Sequence, residues 1–377
     1  MTNRISCAIV ALLLSPSIMI PSTIRAEEQP LVRTTSSQIA IKNLNYLIQR
    51  AELRVRSAPH NPAVVADYLE VLLMRASFLN TFNDFDRALQ VTQELIRGRP
   101  NDPRALLQSA RVMQKLHRFS AALSLLNKAA AIALESPVEQ QPGFQRQLDL
   151  QYIIIKLARN NTDQALSLLK RLKASSKGAA GAADLAVLFA AVYRSQGLLE
   201  AADAKLAESL EHWDRITPFT VAWVSFQRGE LWVGVDDARA ETRYEEALHY
   251  LPEYVTPRVH LAELKKRGGD IDAAIKLLKP IAEDQDPEPA GRLSEFLEAA
   301  GENKQSLLYR EIALRGWELL LTRYPLTFAD HAAEFWLAAG ANPELALEWA
   351  AKNYKNQPTS RAKTLLLEAT LATENLE

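Results

Sequence analysis

The sequence predicts an all-α protein built as a solenoid of stacked helix hairpins, and three observations predict it. A small residue opening an apolar-x-x-apolar run recurs down the chain, anchored at Ala88, Ala122, Ala165, Ala202, Ala240, Ala274 and Ala346. Ala88 to Ala122 is 34 residues, and so is Ala240 to Ala274. The other steps are 43, 37 and 38, with a final gap of 72 that has room for two units, Ser306 or Leu307 serving as the anchor between them. Prolines and turn residues punctuate the runs at matching places. Segments rich in Val, Ile and Thr with period-two alternation are hard to find, while Ala and Leu abound.

The elements follow in order. Residues 36–57 read as one amphipathic helix with Ile39, Ile41, Leu44, Leu47, Ile48 and Ala51, leaving at Asn61-Pro62. Helix pairs are expected at 63–80/84–98, 103–116/119–134, 143–158/162–174, 181–196/198–213, 217–232/237–250, 255–267/271–284, 289–300/303–323 and 327–340/343–356. A last helix, 359–373, caps the open end. Two helices crossing closely need a small side chain at the crossing, and alanine supplies it without losing helix propensity. Pro100, Pro252 and Pro358 stop the second helices, and Pro287 does so one residue late, because proline cannot continue a helix. Asn83-Asp84, the Asn160–Asp163 run, Gly268-Gly269-Asp270 and the Gly340–Pro343 run mark the turns inside hairpins. Residues 135–144 break the period and read as a surface insertion loop.

Repetition at about 34 residues in two-helix units is a tetratricopeptide signature. The chain resembles the tetratricopeptide-repeat (TPR) family over residues 36–373, through loose individual matches made strong by their number. The resemblance implies a right-handed superhelical α-solenoid whose concave face, lined by the first helix of each pair, binds peptides or protein segments. It also implies a quasi-one-dimensional core in which each unit packs on its neighbours. The dense Lys/Asn pattern of the family's carboxylate clamp is missing, so that function is not implied.

The first 26 residues are a separate object. A short charged start, the apolar run Ile5–Ile20 broken by Ser15-Pro16-Ser17, and Pro21–Ala26 before Glu27-Glu28 read as a signal peptide cleaved after Ala26. The run is too short for a standard membrane span; an uncleaved anchor is the alternative. The expected location is therefore exported, periplasmic or secreted, with membrane contact only if the segment is retained. Residues 27–35 are expected to be a flexible arm. The single cysteine, Cys7, lies in the first segment, so the remainder has no thiol for disulfides, catalysis or metal.

The formal net charge of −1, with 24% charged residues, gives no bulk field for nucleic acid. Nucleophile-elbow, phosphate-loop and HExxH patterns are absent, and 13 glycines are few for ligand-cradling loops. No catalytic residue, cofactor or metal site is expected, and the protein is not expected to be an enzyme. Two His-x-Ala-Glu patterns, His260–Glu263 and His331–Glu334, put His and Glu on one side of a helix. They sit in units too far apart to share a metal site and read as local hydrogen bonds. Trp223, Trp232, Trp336 and Trp349 read as core. Lys265-Lys266-Arg267 reads as a solvated helix end favoured by the helix dipole.

Helical phase puts Asn80, Arg104, Leu107, Arg111, Gln114, Arg194, Trp232, Glu263 and Lys266 on the concave face as the partner-binding groove. Arg104 and Arg111 lie seven residues apart on one face and could clamp a carboxylate. The expected function is a non-enzymatic scaffold of the bacterial cell envelope that holds a protein or peptide partner. An accessory subunit of envelope polysaccharide export or synthesis is the alternative, and metal handling is a third reading.

Overall fold

A computed structural model of the chain describes residues 32–135, 142–175, 181–211 and 217–375. Within them lie α1 (Ser37–Ser57), α2 (Pro62–Leu79), α3 (Asn83–Gly98), α4 (Pro103–Lys115), α5 (Phe119–Glu135), α6 (Pro142–Ala158), α7 (Thr162–Ser175), α8 (Ala182–Ser195) and α9 (Leu199–Glu211). The second half adds α10 (Pro218–Trp232), α11 (Asp237–Tyr250), α12 (Val255–Arg267), α13 (Ile271–Leu278), α14 (Pro287–Ala299), α15 (Asn303–Arg323), α16 (Ala329–Leu337), α17 (Pro343–Asn356) and α18 (Ser360–Glu374). No strand occurs among the described residues, and no helix there is long and apolar enough to cross a membrane. The expected signal peptide, residues 27–31 of the arm and residues 136–141 of the insertion loop lie outside them.

The hairpins form where the small residues predict. Ala88, Ala122, Ala165, Ala202, Ala240, Ala274 and Ala346 are all 0% exposed. In the degenerate unit the anchor is Ser306, which is buried and paired with Ser294 (3.2 Å), while Leu307 faces solvent. First helices start on proline after a polar cap. Asn61, Asp102 and Asp286 each accept a hydrogen bond from a first-turn amide, and Pro62, Pro103 and Pro287 follow them.

Every turn inside a hairpin, from α2–α3 to α16–α17, contains a left-handed residue: Asn80, His117, Asn160, Gly197, Gly234, Gly269, Gly301 and Ala341. Such a residue reverses the chain and lets the next amides bond back to the last helical carbonyls. Glycine or asparagine carries this cheaply, whereas Ala341 at φ 48° does not.

Three expectations change. Pro287 opens α14 instead of stopping the helix before it. That earlier helix, expected to reach 284, ends at Leu278 and tightens into a 3₁₀ turn, Lys279–Ile281; Pro280 has no amide hydrogen to continue it. Finally, the core is not quasi-one-dimensional.

Contacts between successive first helices (α2 with α4, α4 with α6, α6 with α8, α12 with α14, α14 with α16) place these helices on the inner, tighter side of the curve. The curve is tight enough to bring the α2–α4 region against the second half of the described chain, and α12 reaches α2. Phe78 packs on Phe219 and Tyr254, and Phe82 on Phe328. The buried Tyr324 hydroxyl donates to the Phe82 carbonyl (3.0 Å) and to Asp86 (2.5 Å). Arg323 reaches Asn83 and Asp86, and Thr327 donates to the Leu116 carbonyl. Asn356 donates to the His117 carbonyl, and Asn80 donates to Asp286 (2.5 Å). These loop-to-loop bonds close one superhelical turn onto itself.

Candidate binding site on the inner helices

The inner side is built from charged residues that the first helices hold among apolar neighbours. Glu230 (α10) accepts from the Tyr244 hydroxyl and lies 3.2 Å from His260 Nδ1 and 3.7 Å from Arg194 (α8). Arg292 (α14) is the pivot. Its guanidinium contacts Glu263 of α12 (2.7 Å), Glu295 of its own helix (3.3 Å) and Glu334 of α16 (2.7 Å). Glu334 binds Arg361 of α18 with its other oxygen (2.9 Å). His331 Nδ1 donates to Glu288 (2.9 Å), which begins α14.

The electrostatics follow from that arrangement. Burial would raise Glu288, but the His331 imidazolium and Arg292 outweigh it and hold the carboxyl down at about 2. Burial would likewise lower His331, but Glu288 and Asp330 win and push it up to about 10, so it is cationic at neutral pH. Glu334 is held well below the usual carboxylate range despite its burial, by Arg361 and Arg292. Asp286, which caps α14, goes the other way: burial and the nearby Glu288 push it up to about 7.

The C-terminal end of α4 carries two more cations, and His117 just beyond it lies within electrostatic reach of Asp330 and His331. Burial depresses Arg111, with Glu70 opposing, and burial alone depresses Lys115. The Lys115 side chain nonetheless remains exposed to solvent. His117 follows and is held neutral by burial, with Gln357 bonding its Nδ1 (3.1 Å).

The sequence-derived groove residues divide. Arg194 is exposed and pairs with Glu230, Glu263 holds Arg292, and Lys266 is exposed with its ammonium over the Phe296 ring (5.2 Å). Arg111 and Gln114 are half-buried, with Arg111 donating to Gln108 (2.9 Å), and Arg104 is exposed. Asn80 is spent in the closure of the turn. Leu107 and Trp232 are 1% and 5% exposed, so they belong to the core and not to the groove surface. The Trp232 ring is covered by the Arg239 guanidinium (3.6 Å). Trp317 is buried, and Trp336 and Trp349 pack against a core cluster. In the Lys265–Arg267 run, Lys265 bonds Glu241 (2.5 Å) and Arg267 bonds Asp237 (2.9 Å), so these two form ion pairs between helices.

The two His-x-Ala-Glu patterns are not isolated. Glu263 and Glu334 meet on Arg292, so α14 joins them into one network. His260 lies 3.9 Å from Glu263, too far for the expected local hydrogen bond. Glu288, His331 and Glu334 bring potential metal-ligand atoms within 4.8 Å of one another. A cation there would face two guanidinium groups already holding Glu334 and a protonated imidazole, so the donor set suits an ion-pair network better than a metal. Glu230, Glu288, Arg292, Arg361 and Lys115 were missed from sequence.

No protein-family model matches the sequence, and no curated protein matches it. Among solved structures the chain is similar to a Rap protein complexed with competence and sporulation factor (14% identity, TM-score 0.52, covering 83% of this chain and 92% of that one). It is also similar to human IFIT1, solved as a dimer with PPP-AAAA (12% identity, TM-score 0.51, covering 89% and 78%). The chain has the helix-hairpin solenoid fold of tetratricopeptide-repeat proteins.

Proposed function

We infer that this chain is a non-enzymatic interaction scaffold of the bacterial cell envelope that holds a protein or peptide segment against its inner helices. The observation that carries the reading is the convergence of ordered charges from α8, α10, α12, α14, α16 and α18 on one inner face. A surface already fixed by ion pairs loses little side-chain entropy when a partner lands on it. Arg111, half-buried on α4 and depressed by that burial, is the anchor for a partner carboxylate. The near-neutral net charge speaks against nucleic acid, and the likeness to IFIT1 carries fold alone. For a sugar-binding reading, aromatic rings would line the inner surface, and Trp232 and Trp317 are buried instead. Export rests on residues 1–26, and a mature chain beginning at Glu27 is the expected product. A native protein that retains Met1 would contradict cleavage.

The test is affinity capture from the crosslinked envelope fraction with wild-type bait and an Arg104→Ala/Arg111→Ala variant. A protein retained by the wild type and lost from the variant supports the inner site. Equal recovery by both baits refutes this placement. Recovery of none, together with added metal raising thermal stability, would favour the metal-handling reading instead.

A further inference from the structure

The outer face of α1 departs from what the end of a solenoid requires. A terminal helix normally buries one face and shows a polar one to water. Here Ala40, Leu44, Ile48, Ala51 and Val55 are buried, and Ile39, Tyr46 and Leu53 project from the opposite side. Spaced seven apart, these three form one stripe that drifts only about 20° per step. Each is more than half exposed. Exposed Lys42 and Arg50 flank the stripe, with the Arg50 guanidinium near the Tyr46 ring (5.8 Å). The only acid in α1 is Glu52, which lies toward the core side and is tied to Arg56 (2.7 Å). Lys42 and Arg50 have no ion-pair partner among the described residues.

Exposed leucines elsewhere lack this setting. Those of α18, Leu367 and Leu371, are interrupted by exposed Glu368, and those of α15 share their surface with exposed Glu311 and Glu318. Among the described residues, only the α1 stripe combines protruding apolar side chains with cations and no acid, the chemistry that complements a negatively charged lipid surface. Long cationic side chains beside an apolar stripe can reach headgroups while the stripe dips below them. The position fits as well, because the apolar run Ile5–Ile20 ends shortly before α1 in the chain.

We propose that the outer face of α1 docks on an anionic phospholipid bilayer and sets the orientation of the solenoid at the membrane. This stands apart from the inner-face reading, since the two surfaces lie on different elements and either can fail alone. The docking does not need residues 1–26: a cleaved chain would bind reversibly, and a retained segment would add to it.

The test uses the full chain as its host processes it, with Cys7→Ser and Gln49→Cys so that one fluorophore sensitive to polarity sits beside the stripe. Vesicles of phosphatidylglycerol and phosphatidylcholine in equal parts should blue-shift its emission, and pure phosphatidylcholine vesicles should not. Adding Tyr46→Glu and Leu53→Glu, both at exposed sites, should leave the circular dichroism unchanged and weaken the vesicle-dependent shift by about tenfold or more in lipid concentration. No shift with either vesicle overturns the proposal even if the protein sediments with lipid through its N-terminal segment. An equal shift in the Glu variant overturns it too. A shift that appears without vesicles and grows with protein concentration would assign the stripe to a second copy of the chain.

Discussion

Replacing Arg292 with methionine removes the pivot of the inner network while keeping a flexible side chain that fills much of its space. The guanidinium holds Glu263, Glu295 and Glu334, and its side chain is only 13% exposed. Removing one partner of a buried pair leaves its counter-charges uncompensated and costs about 3–5 kcal/mol. Glu334 keeps Arg361 and Glu295 is already raised by burial, so the lower part of that range, about 3 kcal/mol, is expected at pH 7. The pH sign follows from Glu334, whose folded pKa is depressed. Its contribution is present above the unfolded carboxylate pKa and is lost as pH falls through the lower folded value. In the variant that depression shrinks, so acid neutralises Glu334 more readily. The deficit should therefore narrow to about 1 kcal/mol near pH 4. Urea unfolding followed by far-ultraviolet circular dichroism at both pH values measures it. A loss under about 1 kcal/mol at pH 7, or a deficit unchanged by acid, would show that Arg292 is a solvated surface charge.

Further expectations rest on single residues. Ala122→Trp should cost about 3 kcal/mol or more, because Ala122 is fully buried where α4 and α5 cross; wild-type stability in urea would mean the repeat alignment is wrong. Ala341→Gly should stabilise by about 1 kcal/mol by relieving a left-handed alanine in an exposed turn; a lower melting temperature would contradict it. Asp286→Asn keeps a good helix cap and removes a carboxyl that burial raises to about 7. A raised folded pKa gives stability that is full below the unfolded value near 4 and is lost as pH climbs through 7. The variant should match wild type near pH 4 and exceed it near pH 8, and a constant difference across that range would refute the assignment.

The hairpins were legible because their determinants are local. Ala88, Ala122 and Ala240 announce the crossings, and Pro100 and Pro252 the helix ends, each by a rule that needs only neighbours in sequence. Pro287 was misread because a proline between helices marks an end or a beginning, and Asp286 capping the next helix decides which. The inner network was mostly hidden. Arg292, Glu334 and Arg361 meet only after three units stack, and phase alone cannot tell a charge facing a neighbour from one facing water. Leu107 and Trp232 were placed in the groove by phase, but packing on adjacent helices buries them, Leu107 among residues of α5 and α6 and Trp232 beneath Arg239 of α11. Nothing local foretells the tight curvature, which brings Phe82 to Tyr324 and Asn80 to Asp286 across more than 200 residues.

The central claim, that the partner lies against the inner helices, is tested most directly by site-specific photocrosslinking in the intact envelope. One crosslinking residue is placed at Gln114 on α4 and another at Lys276 on α13, a second helix. The expected result is a discrete adduct from position 114 with none from position 276. The same adduct from 276 alone, or equally from both, would contradict an inner binding face.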